Sequence, residues 1–186
     1  MKSDHPRLVL LAVRWARGRT GGVVLAEPRT WWTARGQCPD VLAWPNPAGR
    51  RWRAGSVLVE AKASRADFLA DRKKPIHARP EDFPGVRRYY LAPPGLIAAP
   101  ELPERWGLLE PSGSSVTIRH EAQPWVLSVA GCGLEARILL AMLIRWQIGA
   151  EWLAAEARFV PRDRSAKQHR MDLARRRGEG QLELLP

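Results

Sequence analysis

Val57-Leu58-Val59-Glu60-Ala61-Lys62, with Pro39-Asp40 about twenty residues before it, is the stretch whose reading decides the fold. A short β-branched apolar run bounded by turn signals reads as a buried strand. Residues two apart on a strand share a face, so Glu60 and Lys62 project together while Val59 and Ala61 face the other way. The loop from Pro45 to Gly55 is rich in turn residues. Cys38 to Trp44 and Ser56 to Ala61 are therefore expected as an antiparallel hairpin turning near Arg50, with Asp40 and Glu60 roughly opposite each other. Two carboxylates so placed repel unless a cation sits between them. Hard oxygen donors suit Mg²⁺ or Mn²⁺. The expected metal ligands are Asp40, Glu60 and the carbonyl of Ala61. Lys62 would orient a water or stabilise charge building on a phosphate. The expected catalytic set is thus Asp40, Glu60 and Lys62. The plainer reading is a Glu60–Lys62 surface ion pair on an edge strand, with Asp40 a turn residue.

Outward from the hairpin, Pro6 to Ala16 reads as a helix with Leu8, Leu11, Ala12 and Trp15 on one face, broken at Gly18 to Gly22. Gly22 to Ala26 reads as a first strand. Ser64 to Lys73 reads as a helix, with Ser64 and Asp67 in the pattern of a capping box. Arg87 to Ala92 is a further strand, which a helical crossover would leave parallel to its neighbour. The order is α-β-β-β-α-β. Shorter strands are expected at Trp106 to Leu109, Val116 to His120 and Trp125 to Val129. A long helix is expected from Leu134 to Arg158; its wide apolar face would pack on the sheet or on a partner subunit, giving a homodimer. The expected organisation is one domain over 1–160 and a basic tail over 161–186.

The 186 residues carry a net charge of +11 and a pI near 10.9, which favours a polyanionic partner such as DNA. Cys38 and Cys132 have no metal-type spacing, which fits a reducing cytoplasm. Met1 to Pro6 lacks a signal-peptide layout, and the longest apolar run, Ile138 to Ile144, is too short to cross a membrane. Arg51, Arg53, Arg65, Lys73 and Lys74 are the expected DNA contacts. The competing reading makes Arg65, Asp71, Arg72 and Lys73 an exposed charged face. Trp31, Trp32 and Trp52 flank the hairpin among arginines, as either base-stacking or packing groups.

The Pro39-Asp40 and Glu60-Ala61-Lys62 pair resembles the PD-(D/E)XK nuclease superfamily. The run Glu60-Ala61-Lys62-Ala63-Ser64-Arg65-Ala66-Asp67-Phe68-Leu69-Ala70-Asp71-Arg72-Lys73 is similar to the E-x-K-x-S-x-x-D-F-x-x-D-x-K run of the MmcB-like DNA repair branch. Tyr89 to Gly95 and Leu102 to Leu109 also look like that branch, so the resemblance covers about residues 36 to 110. It implies an α/β, restriction-endonuclease-like αβββαβ core with a mixed central sheet flanked by helices, here extended by the long C-terminal helix and basic tail. It also implies a metal-dependent deoxyribonuclease acting in DNA repair, recombination or phage DNA metabolism. The alternatives are a catalytically inactive DNA-binding module of the same fold and a replisome adaptor. The chain departs from the pattern in two places. Lys74 stands where the branch usually has tryptophan. Pro6 to Ala16 has no acid, where many members carry a metal-supporting glutamate; Glu27 is the substitute within reach. Finally, Gln181-Leu182-Glu183-Leu184-Leu185 is similar to the bacterial sliding-clamp-binding motif: Gln181 would bond at the rim of an apolar groove that Leu182, Leu184 and Leu185 fill.

Overall fold

A strand of Val-Leu-Val sequence is stable only where both faces are covered, and that is where the hairpin's second strand lies. A computed structural model describes residues 4–28, 38–48 and 55–145. The elements are α1 (His5–Thr20), β1 (Val23–Ala26), β2 (Val41–Trp44), β3 (Val57–Ala61), α2 (Arg65–Asp71), β4 (Arg87–Leu91), β5 (Gly107–Ser112), β6 (Ser115–His120) and α3 (Val129–Arg145). The strands form one mixed sheet in chain order. β1–β2, β2–β3 and β5–β6 are antiparallel, and β3–β4 and β4–β5 are parallel. β3 is buried at all five residues.

One face of the sheet carries Val41, Ala43, Val57, Val59, Ala61, Tyr89, Leu91 and Leu109, packed on Leu8, Val9, Leu11, Ala12 and Ala16 of α1. Trp15 meets the Tyr89 ring edge-on at 5.2 Å. The alternate residues of the strands face the other way. There Phe68 of α2 packs edge-on against Tyr90, and Tyr90 stacks on Trp106 at 4.4 Å. This second face carries Glu60 and Lys62.

The hairpin, the crossover to a parallel β4 and the α-β-β-β-α-β order match the expectation from sequence. The larger differences lie in α1, in the segment before α3 and at the start of α3. α1 passes through Gly18 and stops at Gly21, whose φ of +62° supplies the left-handed residue that ends a helix. Trp125 to Val129 is not a strand. Its backbone is claimed by loops: the Trp125 N–H donates to the Val86 carbonyl at 2.7 Å, and the Ser128 N–H to Glu81 at 2.9 Å. Val129 is already the first residue of α3. The described residues up to Leu139 form one compact unit. The boundary expected near residue 160, the far half of the long helix and the tail lie outside the described residues. No helix among the described residues is long and apolar enough to cross a membrane.

Candidate active site

β2 and β3 pair with Val41 opposite Val59, which sets Asp40 beside Glu60 one step past the end of the ladder. The contact is fixed from the backbone: the Ala61 N–H donates to Asp40 Oδ2 at 2.7 Å. On the other side the Lys62 N–H donates to the Leu91 carbonyl at 2.9 Å, extending the β3–β4 pairing by one residue. Asp40, Glu60 and Lys62 are thereby brought together at one end of β2 and β3.

Lys62 is buried. Its Nζ lies 3.1 Å from Glu60 Oε2 and 2.8 Å from Asp71 Oδ1. Lys74 closes the figure, with Nζ 2.6 Å from the same Asp71 oxygen and 3.5 Å from the same Glu60 oxygen. Two carboxylates and two ammonium groups thus alternate around a ring. Asp71 is held further at Oδ2, where the Tyr90 hydroxyl donates at 2.7 Å and His77 Nε2 approaches to 3.3 Å.

The ring splits the two acids. Burial pushes Glu60 up to about 7, and the negative charges of Asp40 and Asp71 add to it, against the two lysines. Burial also pushes Asp71 up, but bonds and charges from His77, Lys62 and Lys74 outweigh it and hold its carboxyl well below the usual range. Lys62 is raised: burial disfavours its charge, yet Glu60 and Asp71 more than compensate. Asp40 is raised by burial, against the Ala61 N–H and the charge of His5. The site therefore holds a firmly charged lysine, a firmly charged aspartate and a glutamate poised near neutrality.

A small, open cleft lies beside Glu60 and Lys74, walled by Pro39, Leu58, Ile76, Phe83 and Pro84. Its outer wall is the loop before β4, and Arg88 shapes that loop. The buried Arg88 guanidinium donates to the carbonyls of Pro84 at 3.1 Å, Gly85 at 3.0 Å and Phe83 at 2.8 Å, and to that of Pro80. Glu135 of α3 accepts from Trp44 Nε1, Ser56 Oγ and the Gly85 N–H at 2.9, 2.5 and 2.8 Å, tying β2, β3 and this loop together.

On the far side of Asp40 stands a second group. His5 Nε2, from the first residue of α1, lies 3.3 Å from Asp40 Oδ1. Glu27 follows β1, and its N–H donates to the Asp40 carbonyl at 2.8 Å. Donor atoms of His5, Glu27 and Asp40 all lie within 4.8 Å of one another, a group able to close around a metal ion. Glu60 is not in that group.

Of the exposed charged face expected on this helix, Arg65, Arg72 and Lys73 are exposed and Asp71 is not. Asp71 is among the most buried side chains of the protein, a correction that Phe68 explains: three residues apart on a helix, the two share the face turned to the sheet. Lys74, expected on DNA backbone, is partly buried, and its ammonium pairs with Asp71 and Glu60. Arg65 forms an exposed ion pair with Glu101 and reaches the Leu96 carbonyl at 3.2 Å. Asp67 donates its N–H to Ser64 Oγ at 3.2 Å, so Ser64 caps α2. Lys73 is exposed. Arg51, Arg53, Trp31, Trp32 and Trp52, with the clamp-type residues Gln181, Leu182, Leu184 and Leu185, lie outside the described residues. Reading the sequence missed Tyr90, His77 and His5. Tyr90 carried a signal: in a parallel pair with β3 it falls opposite Glu60. His5 carried little, because an acid was sought in that helix and a nitrogen donor was not.

No family model matches the chain, and no curated protein matches it. Among solved structures the chain is similar to a protein of unknown function from Silicibacter pomeroyi. The two are 25% identical, the match covers 79% of this chain and 96% of that one, and the TM-score is 0.50. The likeness is one of fold and carries no activity with it.

Proposed function

We propose that the protein is a metal-dependent deoxyribonuclease of the PD-(D/E)XK type, with a restriction-endonuclease-like core and Asp40, Glu60 and Lys62 as its catalytic residues. The observation that carries this reading is the convergence of two carboxylates from a hairpin with a buried, doubly anchored lysine, Glu60 of that set lining a small cleft. The donors fit Mg²⁺ or Mn²⁺. Asp40 and Glu60 are both pushed toward their neutral forms by burial, and Glu60 also by the negative charge of Asp40. A divalent cation offsets that cost. Asp40, Glu60 and the Ala61 carbonyl are its ligands in this reading. Such an ion supplies Lewis acidity: charge for a phosphate oxygen and acidification of water.

The rest falls to the chain itself. The Ala61 N–H fixes the Asp40 carboxylate. Asp71 and Glu60 take two of the three Lys62 donors, leaving the third to meet a phosphate oxygen or to orient the attacking water. Asp71 is a positioning residue; it touches no substrate and keeps Lys62 charged and in place. Hydrolysis adds water across one P–O bond, and the departing oxygen takes a proton.

The second reading is a DNA-binding module without activity. One observation favours it: both Lys62 and Lys74 already face Glu60, so a cation must compete with Lys74 for that oxygen. Incubation with single-stranded, duplex and branched DNA in Mg²⁺ or Mn²⁺ separates the two. Cleavage of any substrate supports the nuclease. Tight binding with every substrate intact supports the module.

A further inference from the structure

We propose a transition-metal site built from His5, Glu27 and Asp40, which shares Asp40 with the Asp40–Glu60 pair and differs from it in His5 and Glu27. Three separate elements bring these residues together: the start of α1, the residue after β1 and the residue before β2. The geometry fits coordination. Two donors each about 2.1 Å from one ion stand about 3.0–3.4 Å apart, and His5 Nε2 and Asp40 Oδ1 are 3.3 Å apart. The two Asp40 oxygens are divided: Oδ2 is held by the Ala61 N–H, while Oδ1 faces the imidazole. Glu27 is exposed, and its carboxylate brings an oxygen within 4.8 Å of the other two donors. Its backbone φ of +42°, unusual for a side chain other than glycine, turns the chain there, and its N–H anchors it to Asp40.

The donor set decides the metal. Carboxylates alone accept Mg²⁺, whereas an imidazole nitrogen favours the later divalent ions. Two carboxylates with one imidazole therefore select Mn²⁺, Co²⁺ or Zn²⁺ over Mg²⁺. The site needs neither DNA nor hydrolysis, so it stands apart from the nuclease reading although Asp40 is common to both.

The test is Mn²⁺ alone added to the full chain, read by calorimetry and by electron spin echo spectroscopy. Expected are Mn²⁺ binding tighter than Mg²⁺ and nitrogen modulation from one directly bound imidazole. His5→Gln should abolish that modulation and weaken Mn²⁺ binding by about tenfold or more, a loss that even an outer-sphere partner produces. Glu27→Gln should weaken binding and keep the modulation. Circular dichroism checks that both variants fold, and the spectroscopy of the unaltered chain decides the matter if one does not. Mn²⁺ bound without nitrogen modulation, with His5→Gln and Glu27→Gln binding as tightly as the parent, overturns the site; His5 is then an ion-pair partner of Asp40. That result leaves the nuclease reading intact. Nitrogen modulation in a protein that cleaves no DNA keeps the site and removes the nuclease.

Discussion

Glu60 is a carboxylate set against its own ionisation, and that has a consequence for stability. Its carboxyl is raised to about 7 from an ordinary 4.5. The folded chain therefore keeps a proton that the unfolded chain loses between these values, so this group lowers stability as pH rises through that window. Glu60→Gln removes the effect. In metal-free buffer the variant should match the parent near pH 4.5 and exceed it above pH 7 by on the order of 2 kcal/mol, read as a higher melting temperature. Asp71 has the opposite sign. Held below its ordinary value, it stabilises the fold at neutral pH, and that contribution is lost as pH falls below the usual carboxylate range. Asp71→Asn should cost about 3 kcal/mol at pH 7 in denaturant melts, because it strips a partner from two ammonium groups, one of them buried. Asp40, Glu60 and Lys62 were legible as a set because strand alternation and hairpin pairing follow from local sequence. Asp71 reads as surface from its charge, although its three-residue spacing from Phe68 places it on the buried face. Lys74 was read by its charge, and only the tertiary fold turns it inward.

At the scale of elements, β3 and α2 were the easiest to read. Val57-Leu58-Val59 leaves no surface to expose, and Ser64 marks where the next helix begins. Strand β4 was equally clear in Arg87 to Leu91, yet its most buried polar residue was not. Arg88 lies wholly inside, and its guanidinium is drawn down to about 10 by burial. What keeps it there is a set of four loop carbonyls, which no local pattern announces. Arg88→Met should destabilise the protein by about 3 kcal/mol, since each buried carbonyl left unpaired costs about 1–3 kcal/mol and relaxation recovers part of the sum. It should also loosen the cleft wall at Phe83 and Pro84, seen as faster amide exchange of the Pro80 to Val86 backbone while the Val57 to Ala61 strand stays protected. Trp125 to Val129 fails as a strand for a related reason. Its apolar, β-branched and aromatic residues suit a strand, but loop carbonyls at Val86 and Glu81 capture its donors, and α3 claims Val129. Long-range hydrogen bonds of this kind decide segments that periodicity leaves balanced.

For the whole molecule, a charge of +11 predicts electrostatic affinity for DNA that salt removes. Between 50 and 200 mM salt, binding should weaken by about 100-fold if about four phosphates are contacted. A response near zero would show that the basic residues do not carry the binding. Removal of Gln181 to Pro186 should abolish binding to a bacterial sliding clamp in a pull-down with purified clamp, and should leave cleavage of naked DNA unchanged. Loss of cleavage with retained clamp binding would refute that assignment. The central claim is that Asp40, Glu60 and Lys62 together hydrolyse a phosphodiester. The most direct measurement is single-turnover cleavage of end-labelled DNA in Mn²⁺ by the full chain and by Asp40→Asn, Glu60→Gln and Lys62→Ala, each verified as folded. The expected result is cleavage by the parent and a fall of about 100-fold or more in each variant, the scale of losing one electrostatic stabiliser of a transition state. Cleavage by Lys62→Ala at the parent's rate, or no cleavage by the parent on any DNA, would contradict it.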